Sequence, residues 1–201
     1  MEAIFLARHA LAASNDAGLA SYAAPGEGLT EKGVEQARGL GGLLSGEEIG
    51  LGVATELRRT QETLEVALEG RDIPRIVLSE LNEIHFGSYD GDLLSAYREW
   101  AGSEMPAVPA PGGGESRAQA AARYASGLRL VLVRPEETAL VIGHALAVRY
   151  VLDAADGLVP ASLMLAPVEH ARPFRLEADE LETAAELLES WSLDPRFRET
   201  A

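Results

Sequence analysis

The chain has 201 residues, with 17 lysines and arginines against 32 aspartates and glutamates, for a formal net charge of −15. Hydrophobic residues at 47% and charged residues at 24% suit a folded domain and exclude a disordered chain. The absence of cysteine excludes disulfides, thiolate metal sites and cysteine nucleophiles, and the acid excess argues against nucleic acid or an anionic membrane as partner. No run approaches the ~18 apolar residues of a membrane span. The start Met1–His9, with acidic Glu2, is unlike a signal peptide. A cytoplasmic protein is expected, with one domain over 1–201 and a small insertion at about 91–115.

In chain order, Ile4–Ala7 reads as a buried strand. Thr30 opens a helix to about Leu44, with Val34, Ala37, Leu40 and Leu44 on one face. Ile49–Ala54 is a second strand, and a helix from about Leu57 to Leu68 turns Leu57, Leu64 and Leu68 inward. Arg75–Leu78 is a third strand. The proline- and glycine-rich stretch from Gly102 to Gly114 marks a loop or the end of an insertion. A helix from near Ser116 to about Arg134 precedes Thr138–Gly143, the most apolar strand, and a further helix covers Ala145–Ala155. Glu177–Leu188 forms the last helix. Helices between continuous apolar strands are crossover connections, so the fold class is α/β around a parallel sheet.

Open parallel sheets bind ligands beyond the carboxyl ends of their strands. The first strand is followed by Arg8 and His9, the second by Thr55, Arg58 and Arg59, the third by Glu83, and the fourth by His144 at a helix start. Each has an ordinary explanation when taken singly. Arg8-His9 is compatible with a loop pair, His144 with a cap or an anion-binding position, one of Arg58 and Arg59 with a solvated helix residue, and Glu83 with a surface charge. His85 and His170 read as structural. Together, two histidines, arginines and a glutamate on one sheet rim make an anion site with a nucleophile and an acid. Other chemistries find little support. The run Gly50–Thr55 lacks the third glycine of a dinucleotide site, and no Gly-x-Ser-x-Gly turn occurs.

These residues fall in an order that resembles the histidine phosphatase superfamily, in its phosphoglycerate mutase-like branch. The opening Arg-His-Gly with a nearby Asn is matched by Arg8-His9-Ala10 and Asn15. Leu29–Ala37 matches the Leu-Thr-x-x-Gly-x-x-Gln-Ala helix start, and Thr55, Arg59 and Thr63 match a Ser/Thr-Arg-Thr spacing that selects Arg59 over Arg58. The acid motif is Glu83–Gly91, the Pro-Gly-Gly-Glu-Ser segment is echoed in Pro111–Ser116, and the second histidine lies in Val141–Ala145 with Arg149 five residues on. Alanines at 10 and 145 stand where the family has glycines, leaving a backbone N–H at each for a phosphate oxygen.

The resemblance implies a three-layer α/β/α sandwich with a mostly parallel central sheet. It implies His9 as nucleophile, Arg8 and Arg59 as clamps on the phosphoryl oxygens, a protonated His144 opposite His9, and Glu83 as proton donor and acceptor. Asn15 and Ala145 complete the phosphate site. Two arginines and an imidazolium replace a metal, so neither metal nor cofactor is implied. The activity implied is a metal-independent phosphatase of the histidine acid phosphatase type, working through phosphohistidine on a phosphorylated small molecule and releasing inorganic phosphate. Alternatives are a mutase-type phosphotransferase, disfavoured by only 25 positions between Gly91 and Ser116, and a catalytically weak regulatory or binding member. Leu11, Ala12, Tyr22 and Met105–Pro111 are expected at the entrance.

Overall fold

The computed structural model describes residues 1–162 and 167–198. Five strands, β1 (Ala3–Arg8), β2 (Leu51–Ala54), β3 (Arg75–Val77), β4 (Thr138–Gly143) and β5 (Pro173–Glu177), form one sheet in the order β3-β2-β4-β1-β5. The first four are mutually parallel, and β5 runs antiparallel to β1 on the edge. The helices are α1 (Ala13–Asp16), α2 (Glu31–Leu43), α3 (Arg58–Ala67), α4 (Leu94–Ser103), α5 (Arg117–Leu132), α6 (Ala145–Ala155) and α7 (Ala178–Leu193).

Strand alternation builds the layers. Phe5, Ala7, Leu140 and Ile142 point to one face, where they meet Ala37, Leu40 and Leu44 at α2 and Leu64, Ala67 and Leu68 at α3. Ile4, Leu6, Val53 and Val141 point to the other, against Tyr124 and Leu128 of α5, Val148 of α6, and Leu181 and Leu188 of α7. Each fully buried Leu or Val contributes ~1.5–3 kcal/mol, so both helical layers are held chiefly by these contacts. The result is the three-layer α/β/α sandwich.

The sequence-based elements need four corrections. β2 begins at Leu51 rather than Ile49, where its pairing with β4 starts at Ala139, although Gly50 N–H still bonds Thr138 O at 2.9 Å beside the ladder. The last helix extends to Leu193. β5 escapes the strand pattern because it is an edge strand, with Arg175 and Glu177 exposed and ion-paired at 2.7 Å between Phe174 and the buried Leu176. α4 lies in the stretch expected as a short insertion, with no side-chain cap to announce it. Its Tyr97 and Ala101, four apart, face the core.

Candidate active site

The sheet register explains why two residues 135 positions apart in sequence become neighbours. β1 pairs with β4 so that Arg8 lies opposite Gly143. The next residues, His9 and His144, therefore emerge side by side at the carboxyl edge, with ring centroids 5.3 Å apart. The His9 N–H donates to Gly143 O at 2.9 Å, which locks this juxtaposition.

His9 is 1% exposed. Its Nδ1 lies 2.8 Å from Ala10 O, and a carbonyl only accepts, so Nδ1 carries the proton and Nε2 keeps its lone pair. Burial, reinforced by the arginine charges of Arg59 and Arg8, holds the ring well below the ordinary histidine range. It is a neutral imidazole with its free nitrogen in the site.

Arg59 is 2% exposed in the first turn of α3. It donates to Ser21 O at 2.8 Å and to His144 Nδ1 at 3.3 Å. Arg58 instead faces solvent and pairs with Glu62 at 2.6 Å, one turn along. Arg8 donates to Val168 O at 2.9 Å, and burial lowers it to about 10, so it stays a cation at neutral pH. The Nε atoms of both Arg8 and Arg59 are buried without a partner among the described residues. Unsatisfied buried cationic donors are costly, so both guanidiniums stand to gain from an anion in the cleft that they line.

Because a guanidinium cannot accept, the Arg59 contact makes His144 Nδ1 the acceptor and places the proton on Nε2, 3.0 Å from Thr55 Oγ1. Burial and the Arg59 charge keep His144 far below the ordinary range. The imidazolium implied by the family resemblance is thus disfavoured by the protein's own groups. An anion that draws Arg59 away and adds negative charge would reverse that balance.

Glu83 Oε2 stands 4.0 Å from His144 Nδ1. Burial raises its carboxyl above the ordinary value, against the opposing pull of Arg59 and Arg8. Its loop is tied down by Arg123, which donates to Glu80 O, Asn82 O and Glu83 O and forms a bidentate pair with Glu115 at 2.6 and 2.8 Å. Asn82 and Glu56 exchange hydrogen bonds at 2.7 and 3.0 Å, joining this loop to the start of α3.

Asn15 and Ala145 both line the cleft, where Asn15 Oδ1 also accepts from Ala12 N at 3.3 Å. Ala145 heads α6, and its N–H has no protein acceptor among the described residues. Ala10 differs from expectation, because its N–H is already spent on Thr63 Oγ1 at 3.0 Å. Thr63 Oγ1 in turn donates to Arg59 O at 2.6 Å, so one buried hydroxyl joins the histidine loop to the arginine helix.

The cleft has a volume of about 590 Å³. Its mouth also departs from expectation. Ala12 is fully buried, Tyr22 stacks on His85 at 4.3 Å, and α4 forms the rim through Leu94, Tyr97, Arg98 and Ala101. Among the described residues, Arg8, Arg59, Arg98, Arg117 and Arg149 line the cleft against Glu83 and Asp153, a cationic hollow in an acidic protein. The rim residues carried no sequence signal, since an arginine on a short amphipathic helix looks solvated. His170, read as structural, lies 5.5 Å from the His9 ring.

The chain belongs to the histidine phosphatase superfamily (branch 1), whose family model matches residues 4–190. It is 39% identical over 119 residues to an adenosylcobalamin/alpha-ribazole phosphatase of Salmonella typhimurium, a match covering 55% of this chain and 58% of that protein. It is 30% identical over 165 residues to the 2,3-bisphosphoglycerate-dependent phosphoglycerate mutase 2 of Gloeobacter violaceus, covering 74% of each. The crystal structure of the alpha-ribazole phosphatase from Shigella flexneri superposes with a TM-score of 0.73 at 25% identity, covering 86% of this chain and 89% of that one.

Proposed function

We propose that the protein is a metal-independent phosphatase that hydrolyses phosphate monoesters through a phosphohistidine at His9. The observation that carries this reading is the state of His9. It is a buried neutral ring with Nδ1–H committed to Ala10 O, and beside it stand the buried Arg59 and the half-buried Arg8, whose Nε atoms have no partner among the described residues. In-line attack by His9 Nε2 forms the N–P bond as the ester P–O bond breaks. Arg8 and Arg59 hold the equatorial oxygens. Glu83 in its protonated form gives its proton to the leaving alkoxide. As carboxylate it then takes one from the water that attacks phospho-His9, releasing orthophosphate and restoring both groups. As the bound dianion draws Arg59 from the Nδ1 of His144, that nitrogen is freed to take a proton from solvent, and the resulting imidazolium stabilises the transferring group.

The activity class is a phosphoric monoester hydrolase of the histidine acid phosphatase type, and a cytoplasmic setting fits its acidic surface. No helix among the described residues is long and apolar enough to cross a membrane. The walls Ile84, Phe86, Leu94, Tyr97 and Leu146 favour a small-molecule ester with an apolar body. Alpha-ribazole phosphate, suggested by the names of the relatives, is the first physiological candidate to try.

Hydrolysis of p-nitrophenyl phosphate in EDTA tests the reading. Release that persists in chelator and disappears in His9→Ala, together with an acid-labile phosphoenzyme in the wild type only, is expected. Phosphate release by His9→Ala at the wild-type rate would overturn it. A phosphotransferase reading has one observation behind it, the rim formed by α4 over the site. It predicts phosphoryl transfer from a bisphosphorylated donor to an alcohol acceptor with little free orthophosphate.

A further inference from the structure

The backbone of the Arg8-His9 pair is gripped by a short segment outside the helices. Ala171 N–H donates to Arg8 O at 2.9 Å, His170 Nδ1 lies 2.7 Å from His9 O, and Val168 O accepts from the Arg8 guanidinium at 2.9 Å. The segment reaches this place because β5 pairs with β1 as far as Ala7 opposite Pro173, which brings the residues just before β5 alongside the end of β1. Its turn is unusual. Ala171 has φ +53°, the only non-glycine residue with positive φ among those described. A left-handed alanine persists where its surroundings over-determine it, a pattern concentrated at functional sites.

The carbonyl held by His170 belongs to the peptide plane between His9 and Ala10. The N–H of the same plane donates to Thr63 Oγ1 at 3.0 Å. One peptide is therefore fixed at both ends, by groups that come from α3 and from the 168–171 segment. The next peptide carries Ala10 O, and its own N–H, on Leu11, donates to Gln36 Oε1 at 2.9 Å, so the aim of that carbonyl rests on both planes being held in sequence. Ala10 O is the acceptor that keeps the proton on His9 Nδ1 and leaves Nε2 free.

We infer that His170 is a positioning residue for the nucleophile, holding the His9–Ala10 peptide so that His9 keeps the tautomer and the aim needed for attack by Nε2. This rests on the reading of His9 as nucleophile. A carbonyl accepts only, so His170 must carry its proton on Nδ1. Burial and the neighbouring Arg8 keep the ring neutral near pH 7, with its pKa lowered to about 4. The ring acts here as a rigid hydrogen-bond donor and makes no claim on substrate.

The test compares His170→Ala, which removes the donor, with His170→Asn, whose side-chain amide nitrogen sits where Nδ1 does. With p-nitrophenyl phosphate, His170→Ala is expected to lose about 10- to 100-fold in kcat while KM stays within about threefold. His170→Asn is expected to recover to within about threefold of the wild type. Imidazole 15N shifts of His9 supply a readout that needs no turnover, with the Nδ1–H tautomer dominant in the wild type and mixed in His170→Ala. Should His170→Ala not fold, His170→Phe, which keeps a ring and lacks the donor, carries the same expectations. Near-wild-type kcat without the donor, an Asn variant as impaired as Ala, or an unchanged His9 tautomer each overturns the inference. A wild type that releases no phosphate from any ester overturns the phosphatase reading alone, and the 15N shifts still decide for or against the clamp.

Discussion

Replacing Thr63 by valine keeps the shape of a fully buried side chain and deletes its hydroxyl. That hydroxyl accepts from Ala10 N–H at 3.0 Å and donates to Arg59 O at 2.6 Å. Arg59 O lies within α3 and keeps its helical partner, so the larger loss falls on Ala10 N–H, buried with no other acceptor. A stranded buried donor costs ~1–3 kcal/mol, and the lost donation adds a fraction of that, giving about 2–3 kcal/mol in all. Thr63→Ser keeps both hydrogen bonds and gives up one methyl group, about 1 kcal/mol. Pure apolar burial ranks valine above serine, whereas hydrogen bonding ranks serine above valine. Urea unfolding followed by tryptophan fluorescence, with an unchanged m-value, measures the order. Because Thr63 anchors the peptide after His9, kcat of Thr63→Val should also fall about tenfold or more. A valine variant as stable as the wild type, or more stable than serine, refutes the reasoning.

Glu83→Gln should lower turnover of alkyl phosphates about 10²–10⁴-fold and abolish the alkaline limb of the pH–rate profile, with a smaller loss on p-nitrophenyl phosphate, whose leaving group needs little protonation. An alkaline limb that survives the substitution assigns the proton elsewhere. Arg59→Lys should weaken inhibition by orthophosphate about tenfold or more, because an ammonium cannot reproduce the guanidinium fork, as competitive inhibition constants will show. Gly87→Ala places a Cβ 2.0 Å from Pro111 O at a φ of +61°. It should cost at least about 2 kcal/mol and lower Tm by roughly 4–8 °C. The pH dependence of stability follows from His9, His144 and His170, all held below their ordinary values by burial. Below about pH 6.5 their unfolded forms bind protons that the folded forms do not, so stability falls as pH drops. Glu83, raised in the folded state, releases up to one proton on unfolding and partly offsets this. At pH 5.5 unfolding should take up about two protons, and stability should be about 2–4 kcal/mol lower than at pH 7.5. Equal urea midpoints at the two pH values would contradict these assignments.

The sequence alone determined the α/β class, the four parallel strands and the residues at their carboxyl ends. Buried strands such as Thr138–Gly143 are continuous apolar runs, and Arg8, His9, Thr55, Arg59, Glu83 and His144 directly follow such runs or lie within a few residues of them. Those are local signals, readable without knowing what packs where. The edge strand β5 and the rim helix α4 were not legible, because half-exposed elements mix polar and apolar residues and lack a long period. The choice between Arg58 and Arg59 needed the family spacing, which agrees with the solvent pairing of Arg58 with Glu62. Other properties depend on contacts between residues far apart in sequence. The neutral state of His144 depends on its burial and then on Arg59, the occupied N–H of Ala10 on Thr63, and the placement of His170 against His9 on the register of β5. Net charge is the clearest case. A sum of −15 says nothing of where the cations gather, and only the packing of five separate segments brings five arginines around one cleft.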